Sequence, residues 1–359
     1  MTSLAGTKPE QSLASVLLCQ DCGRELSEES TESVKCSCGW AVKSREGVFS
    51  LGGDPDYYFG SHREETRRWV GSVRPEGGGM ELTALNEGFS IGDYETYYAT
   101  SWRRADVLEW IDLQGKTVLD FGSGWGTYSI PAAHRARLVV AVDRTVERLR
   151  VLSVRAQREN LTNLISVQGD ATKLRLKDES FDSALLIGFL EWVPDLQGIE
   201  PRAAQIHFLR SVFRGLKNRG TVLLGIENRL NPFYFVGHTD HGEIPFTPLL
   251  PRPVANFVSR IAGRKRFVHY LYSHAGYRKL LLEAGFVDIR FVYPLPTYKR
   301  TVFLTTSLNP RVMGQFLSLY RQHPSEFVHL LQAYLLRAAI SLRIAPFVVP
   351  SYYVMGSKQ

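Results

Sequence analysis

The chain has 359 residues, 44% hydrophobic and 22% charged, with a formal net charge of +7. Length predicts two or three structural units, and the apolar content is that of a soluble protein with a substantial core. The polar start shows no signal-peptide pattern, and none is expected. The most apolar stretch, Phe327 to Tyr353, is broken by His329, Gln332, Arg337, Arg343 and two prolines, so it reads as a packing helix and a strand rather than a membrane span, in a cytoplasmic chain.

All four cysteines lie in Cys19-Gln20-Asp21-Cys22 and Cys36-Ser37-Cys38. A C-x-x-C pair, a hairpin-length spacer and a second close pair followed by Gly39 make the pattern of a zinc ribbon. The module is expected over residues 1–55, with Gly47-Val48-Phe49-Ser50-Leu51 as its closing strand. The competing reading is four unrelated thiols or two disulfides, which a cytosolic chain disfavours. So short a segment has little core, so a structural Zn2+ on Cys19, Cys22, Cys36 and Cys38 would supply its stability. Four protein ligands leave no open position for catalysis. With no cysteine after Cys38, the rest of the chain has no thiol nucleophile.

Residues 56–92 read as a linker or mobile region, marked by Pro75-Glu76 and Gly77-Gly78-Gly79. A helical lead-in follows, from Asp93 through Trp110. Val118-Leu119-Asp120-Phe121-Gly122-Ser123-Gly124-Trp125-Gly126 is an apolar run of strand length with an acid near its end and glycines at alternate positions. Such glycines let backbone amides crowd against a nucleotide-like ligand at the C-terminal end of a parallel strand. A dinucleotide turn would put its third glycine one residue later, where Thr127 stands. Leu138 to Asp143 reads as the second strand, ending in an acid suited to ribose hydroxyls. Ile165 to Ala171 reads as the third, Phe181 to Gly188 as the fourth and Thr221 to Glu227 as the fifth. Ser351 to Gly356 is expected as a final antiparallel strand.

D-x-G-x-G-x-G in this setting resembles the first motif of class I S-adenosylmethionine (SAM) methyltransferases. The resemblance implies an α/β fold: a Rossmann-like seven-stranded sheet, here with an N-terminal zinc ribbon and a helical lid or insertion. The methyltransferase domain would span 93–359, with an acceptor-site insertion and lid over 228–288 and a helical addition over 297–350. It implies SAM as cofactor, held by Asp120, Gly122, Ser123, Gly124 and Gly126 at the turn. Asp143 would hold the ribose, and Asp170 with Ala171 the adenine edge. Gly188, closing the fourth strand, would complete the cofactor-binding set.

Further phrases resemble a bacterial and archaeal group associated with polysaccharide and glycolipid biosynthesis. They include Gly188-Phe189-Leu190-Glu191-Trp192-Val193, Gly225 to Leu230, Tyr270-Leu271-Tyr272-Ser273 with Gly276-Tyr277, and Pro294 to Lys299. That resemblance implies O-methylation of a sugar hydroxyl, or of a sugar carboxylate, on a glycan, glycolipid or glycosylated metabolite. A hydroxyl is a poor nucleophile and benefits from a general base. His241, oriented by Asp240, is the first candidate, with His238 beside them. Glu227-Asn228-Arg229 comes next, with Arg229 as an anion clamp. Glu191 and Trp192 are read as contacts to adenine or substrate, or as packing.

Residues 251–300 carry ten Arg or Lys against Glu283 and Asp288, while residues 1–60 carry five against nine acids. The basic segment is a solvated face, or a contact for an anionic or lipid-linked acceptor or a peripheral membrane surface. RNA methylation guided by the ribbon is the alternative, disfavoured because a module that grips phosphates should be basic. A catalytically inactive SAM-binding interaction module is a third reading, against which the intact glycine turn and acids stand.

Overall fold

The computed structural model describes residues 12–52, 64, 67, 102–194, 199–239, 244–263, 269–321 and 327–359. Most of the expected linker and the lead-in before Trp102 lie outside the described residues; Trp102–Trp110 is a 3₁₀ helix. The chain forms two compact units, Met1–Ala184 with Arg214–Lys217, and Leu185–Phe213 with Asn218–Gln359.

In the first unit the cysteine module is a three-stranded antiparallel sheet of β1 (Ser27–Ser30), β2 (Ser33–Lys35) and β3 (Ala41–Lys43). Beside it run β4 (Val48–Ser50), β5 (Thr117–Phe121), β6 (Leu138–Asp143), β7 (Leu164–Gln168) and the start of β8 (Phe181–Ile187). Their hydrogen-bonded order is β8-β5-β6-β7-β4, with β5, β6, β7 and β4 mutually parallel. Every residue of β5 is buried, as parallel strands covered on both faces require. Helices α1 (Ser129–Ala133) and α2 (Val146–Arg158) supply cover: Leu149, Leu152 and Ala156 pack with Val48, Ile130 and Ala141.

The segment expected to close the ribbon does something else. β4 pairs with β7, Val48 opposite Ser166 and Ser50 opposite Gln168. Val48 and Phe49 are buried there, whereas β1 is exposed along its whole length. The small sheet offers only Val34 and Val42 as apolar cover; the edge of β7 offers both cover and unpaired backbone groups. The module also grips the chain after β7: Leu17 bridges Leu176, Leu18 N–H donates to Arg175 O at 3.0 Å and Lys177 N–H to Val16 O at 2.9 Å.

The second unit holds the end of β8, helix α3 (Pro201–Gly215, its last two residues in the first unit) and β9 (Leu216–Glu227). Helices α4 (Arg252–Ile261) and α5 (His274–Ala284) follow, then the hairpin of β10 (Val287–Thr297) and β11 (Arg300–Thr305). Helices α6 (Pro310–Arg321), α7 (Phe327–Ser341) and α8 (Ala345–Val348) lead to β12 (Ser351–Ser357). The order is β11-β10-β12-β9-β8, and β12 is antiparallel to both β9 and β10, as expected of the last strand.

Two strands stand outside the expected seven, β4 beside β7 and β11 beside β10. The addition after Thr297 is therefore not wholly helical. It opens with Arg300-Thr301-Val302, where β-branched residues favour a strand.

Candidate functional site

The glycine turn follows directly from β5. Gly122, Gly124 and Gly126 have φ of +71°, +52° and +86°, a conformation that residues with a Cβ adopt at a cost. A Cβ on Gly126 would lie 2.1 Å from Leu152 Cδ1, so this glycine is needed for packing α2 as well as for the turn. Gly122 and Ser123 donate their amides to Val142 O at 2.8 and 3.1 Å, tying the turn to the end of β6.

Asp143, the last residue of β6, accepts from the Gly124 amide at 2.9 Å and the Thr145 amide at 2.8 Å. One carboxylate thus holds both the turn and the start of α2. Two bonds leave lone pairs over, because a carboxylate can accept about four. Ser123 Oγ is buried with no hydrogen-bond partner among the described residues. Spare carboxylate capacity on Asp143 and the orphaned Ser123 hydroxyl fit a polar cofactor such as SAM.

Asp120 is fully buried and accepts from Ser129 Oγ at 2.5 Å. Burial raises its carboxyl from 3.8 to about 7; the Ser129 bond opposes the shift and the Asp143 charge adds to it. The unfolded chain therefore gives up this proton at lower pH than the folded one. Its contribution to stability is fully present below about 4 and is lost as pH rises through about 7. Urea unfolding from pH 4 to 8 is expected to show this decline, and Asp120→Asn to flatten it.

Asp170 Oδ1 accepts from the amide and hydroxyl of Thr172 at 3.0 and 2.7 Å, and Ala171 is buried beside it. The same unit brings in residues that sequence reasoning passed over. Arg155 donates to Trp125 O, and the Arg148 guanidinium lies 5.4 Å from the Trp125 ring centre. Both arginines recur on α2, but nothing in their spacing points to the turn.

The cysteines converge. Cys19 and Cys38 sulfurs are 3.6 Å apart, Cys22 and Cys36 3.5 Å, and all four sulfurs lie within 4.8 Å of one another. No pair is a disulfide. A zinc–sulfur bond of about 2.3 Å places tetrahedral sulfurs roughly 3.8 Å apart, so the donor set fits a structural zinc. Gly23 and Gly39, both at positive φ, return their amides to Cys19 O and Cys36 O at 2.9 and 3.0 Å. The amide of Cys38 pulls the Cys36 thiol down to about 7. The shortened second pair closes the cluster without a full C-x-x-C loop.

In the second unit, the end of β9 gathers a polar group. Glu227 is only 12% exposed and pairs with Lys299 through Oε1, which also accepts from Tyr298 OH at 3.3 Å. Tyr277 OH donates to the Glu227 backbone carbonyl at 2.9 Å. Gly188, expected on the cofactor side, has φ of +66°, and a Cβ on it would meet Tyr298 OH at 3.1 Å. Tyr298 and Lys299 fall in a phrase the sequence marks, but their pairing with Glu227 is not readable from it.

Of the other sequence candidates, Asp240 and His241 lie outside the described residues. His238 is exposed, with its ring 5.2 Å from that of Phe233. Arg229 is not an anion clamp. Its guanidinium donates to the carbonyls of Pro248 at 2.6 Å and Leu250 at 2.7 Å, because that turn leaves carbonyls without backbone partners. Asn228 is likewise structural, donating to Phe347 O and Val349 O at 2.8 and 2.7 Å. Glu191 is fully buried, and Trp192 stands edge-on to His269 at 4.8 Å. His274, unnoticed as a candidate, opens α5 stacked 3.7 Å from Phe291, with Tyr293 OH at 3.4 Å; burial and then Arg278 lower its pKa.

Residues 119–224 match the family described as "Methyltransferase domain". A tRNA U34 carboxymethyltransferase of Desulfotalea psychrophila is 30% identical over 145 residues, 39% of this chain and 42% of that protein. A demethylmenaquinone methyltransferase of Thermobifida fusca is 33% identical over 112 residues, 31% of this chain and 45% of that one. Among solved structures, phosphoethanolamine N-methyltransferase 2 of Haemonchus contortus in complex with SAM has a TM-score of 0.43 at 16% identity, covering 78% of this chain and 60% of that one. The chain spans less than half the length of the curated relatives it matches. Family match, strand order and glycine turn agree: this chain carries an α/β SAM-dependent methyltransferase domain.

Proposed function

We propose that the chain transfers a methyl group from SAM to a sugar hydroxyl, or a sugar carboxylate, of a glycan, glycolipid or glycosylated metabolite. Asp143 and Ser123 would hold the cofactor against the glycine turn of Gly122, Gly124 and Gly126, with Asp120 beneath them and Asp170 and Ala171 at the adenine edge. When bound, SAM supplies a methyl group already activated on a sulfonium. The protein's task is then to orient the acceptor and take its proton.

The observation that carries the acceptor side is the Glu227 carboxylate, nearly buried at the end of β9 and held by Lys299 and Tyr298. Lys299 and Tyr298 fix the position of the carboxylate, the group at this strand end whose chemistry suits taking a proton from a hydroxyl. His241 and Asp240 remain the sequence-based alternatives for the same role. The sugar acceptor rests on the phrases shared with the polysaccharide-associated group. The four-cysteine module would hold zinc for stability.

Transfer of isotope from labelled SAM to glycans and glycosides in a cell extract tests the acceptor class. Label confined to RNA, as the tRNA enzyme among the relatives would suggest, or confined to protein, overturns it. On the acceptor so found, Glu227→Gln is expected to lower kcat by roughly 100-fold or more while leaving SAM affinity within about twofold. An unchanged kcat removes Glu227 from the chemistry.

A further inference from the structure

Helices on a folded domain normally bury their apolar stripe, and α4 does the reverse. Its buried residues are Ala255 and Ser259, while Val254, Phe257 and Ile261 are 43%, 63% and 71% exposed. Spacings of three and four put these three side chains on one stripe of the helix. Arg260 is exposed at its margin. Nearby in sequence, Phe235 and Val236 are 62% and 74% exposed on a short 3₁₀ turn. Single exposed apolar side chains are ordinary, but three in register along a helix are not.

Charge along this part of the chain selects what covers the stripe. Arg260 is exposed beside it, and in sequence residues 251–300 carry ten Arg or Lys against two acids. A second copy of the same chain would bring like charge against like charge. An RNA would be drawn to the arginines and could stack a base on Phe257, but it gains nothing from Val254 and Ile261, two of the three side chains of the stripe. An anionic bilayer satisfies both features, with acyl boundary for the stripe and phosphates for a cation such as Arg260 at its margin. No helix among the described residues is long and apolar enough to cross a membrane, so the contact is with a surface.

We infer that α4 is a membrane-surface helix that seats this part of the protein on an anionic bilayer, where a lipid-linked acceptor would be met. The inference draws that acceptor class from the proposed function, but vesicle binding is read without any acceptor. Its failure therefore leaves the methyl-transfer reading standing.

The full chain is sedimented with vesicles of phosphatidylcholine alone and of phosphatidylcholine mixed with phosphatidylglycerol, at low and high salt. Pelleting is expected with the anionic vesicles and is expected to weaken with salt. The double variant Phe257→Ser, Ile261→Ser should lower partitioning at least about tenfold. Leu282→Ser, at an exposed apolar site on α5, should leave it unchanged. The double variant removes only exposed side chains, so its thermal midpoint should match the parent. Absence of pelleting on anionic vesicles overturns the inference, as does binding that the double variant does not weaken. A dimer that the double variant splits, without vesicle binding, assigns the stripe to a second copy instead.

Discussion

Asp143→Ala is expected to weaken SAM binding by on the order of 100-fold. Two losses combine in that figure. The ribose would lose a carboxylate acceptor, and hydrogen bonds to a charged group contribute about 1.5–3 kcal/mol each. The turn would also lose its anchor, since Asp143 accepts from the Gly124 and Thr145 amides at 2.9 and 2.8 Å. Asp143→Asn keeps one acceptor oxygen and should fall between the parent and the alanine variant. Calorimetric titration with SAM and with S-adenosylhomocysteine measures both. Circular dichroism separates loss of binding from loss of fold. Unchanged affinity in the alanine variant would remove the glycine turn from SAM binding altogether.

Metal removal is expected to have the other large effect, through stability first and cofactor affinity second. Structural zinc contributes of order 10 kcal/mol to small domains that it organises. Even a loss of ~3 kcal/mol lowers the thermal midpoint by several degrees in a protein of this size. The effect should not stay within the cysteine module. Leu17 and Leu18, which immediately precede Cys19, pair with Leu176 and Arg175, and the Arg175 amide donates to Gln20 Oε1 at 3.0 Å. That segment continues from Asp170 and Ala171, the residues assigned to the adenine edge. Cys19→Ser, or chelation of the parent, should therefore raise amide hydrogen exchange over residues 170–180 and weaken SAM binding several-fold. Purified protein holding no zinc by elemental analysis, or a Cys19→Ser variant with the parent's midpoint, would overturn this account.

The four-cysteine cluster and the glycine turn share one property: each is a local pattern. Cys19 and Cys22, Cys36 and Cys38, and the three glycines are each separated by only a few residues. Their geometry is set by short-range backbone constraints that spacing encodes. The strands were legible for a related reason, since β5 and β6 are continuous apolar runs that only a covered parallel sheet accommodates. Arg229 shows where such reading fails. A guanidinium beside an expected pocket suggests an anion, but carbonyls about twenty residues on in the chain claim it.

By itself, then, the sequence determined the class of fold, the glycine turn with Asp120 and Asp143 beside it, and the four-sulfur cluster, because each follows from neighbours along the chain. Only the tertiary structure decided that Val48 and Phe49 leave the cysteine module for the edge of β7. It alone placed Lys299 and Tyr298 on Glu227, some seventy residues away, and turned the apolar stripe of α4 outward. These depend on which distant surfaces compete for each side chain, a competition settled by topology and burial rather than by spacing.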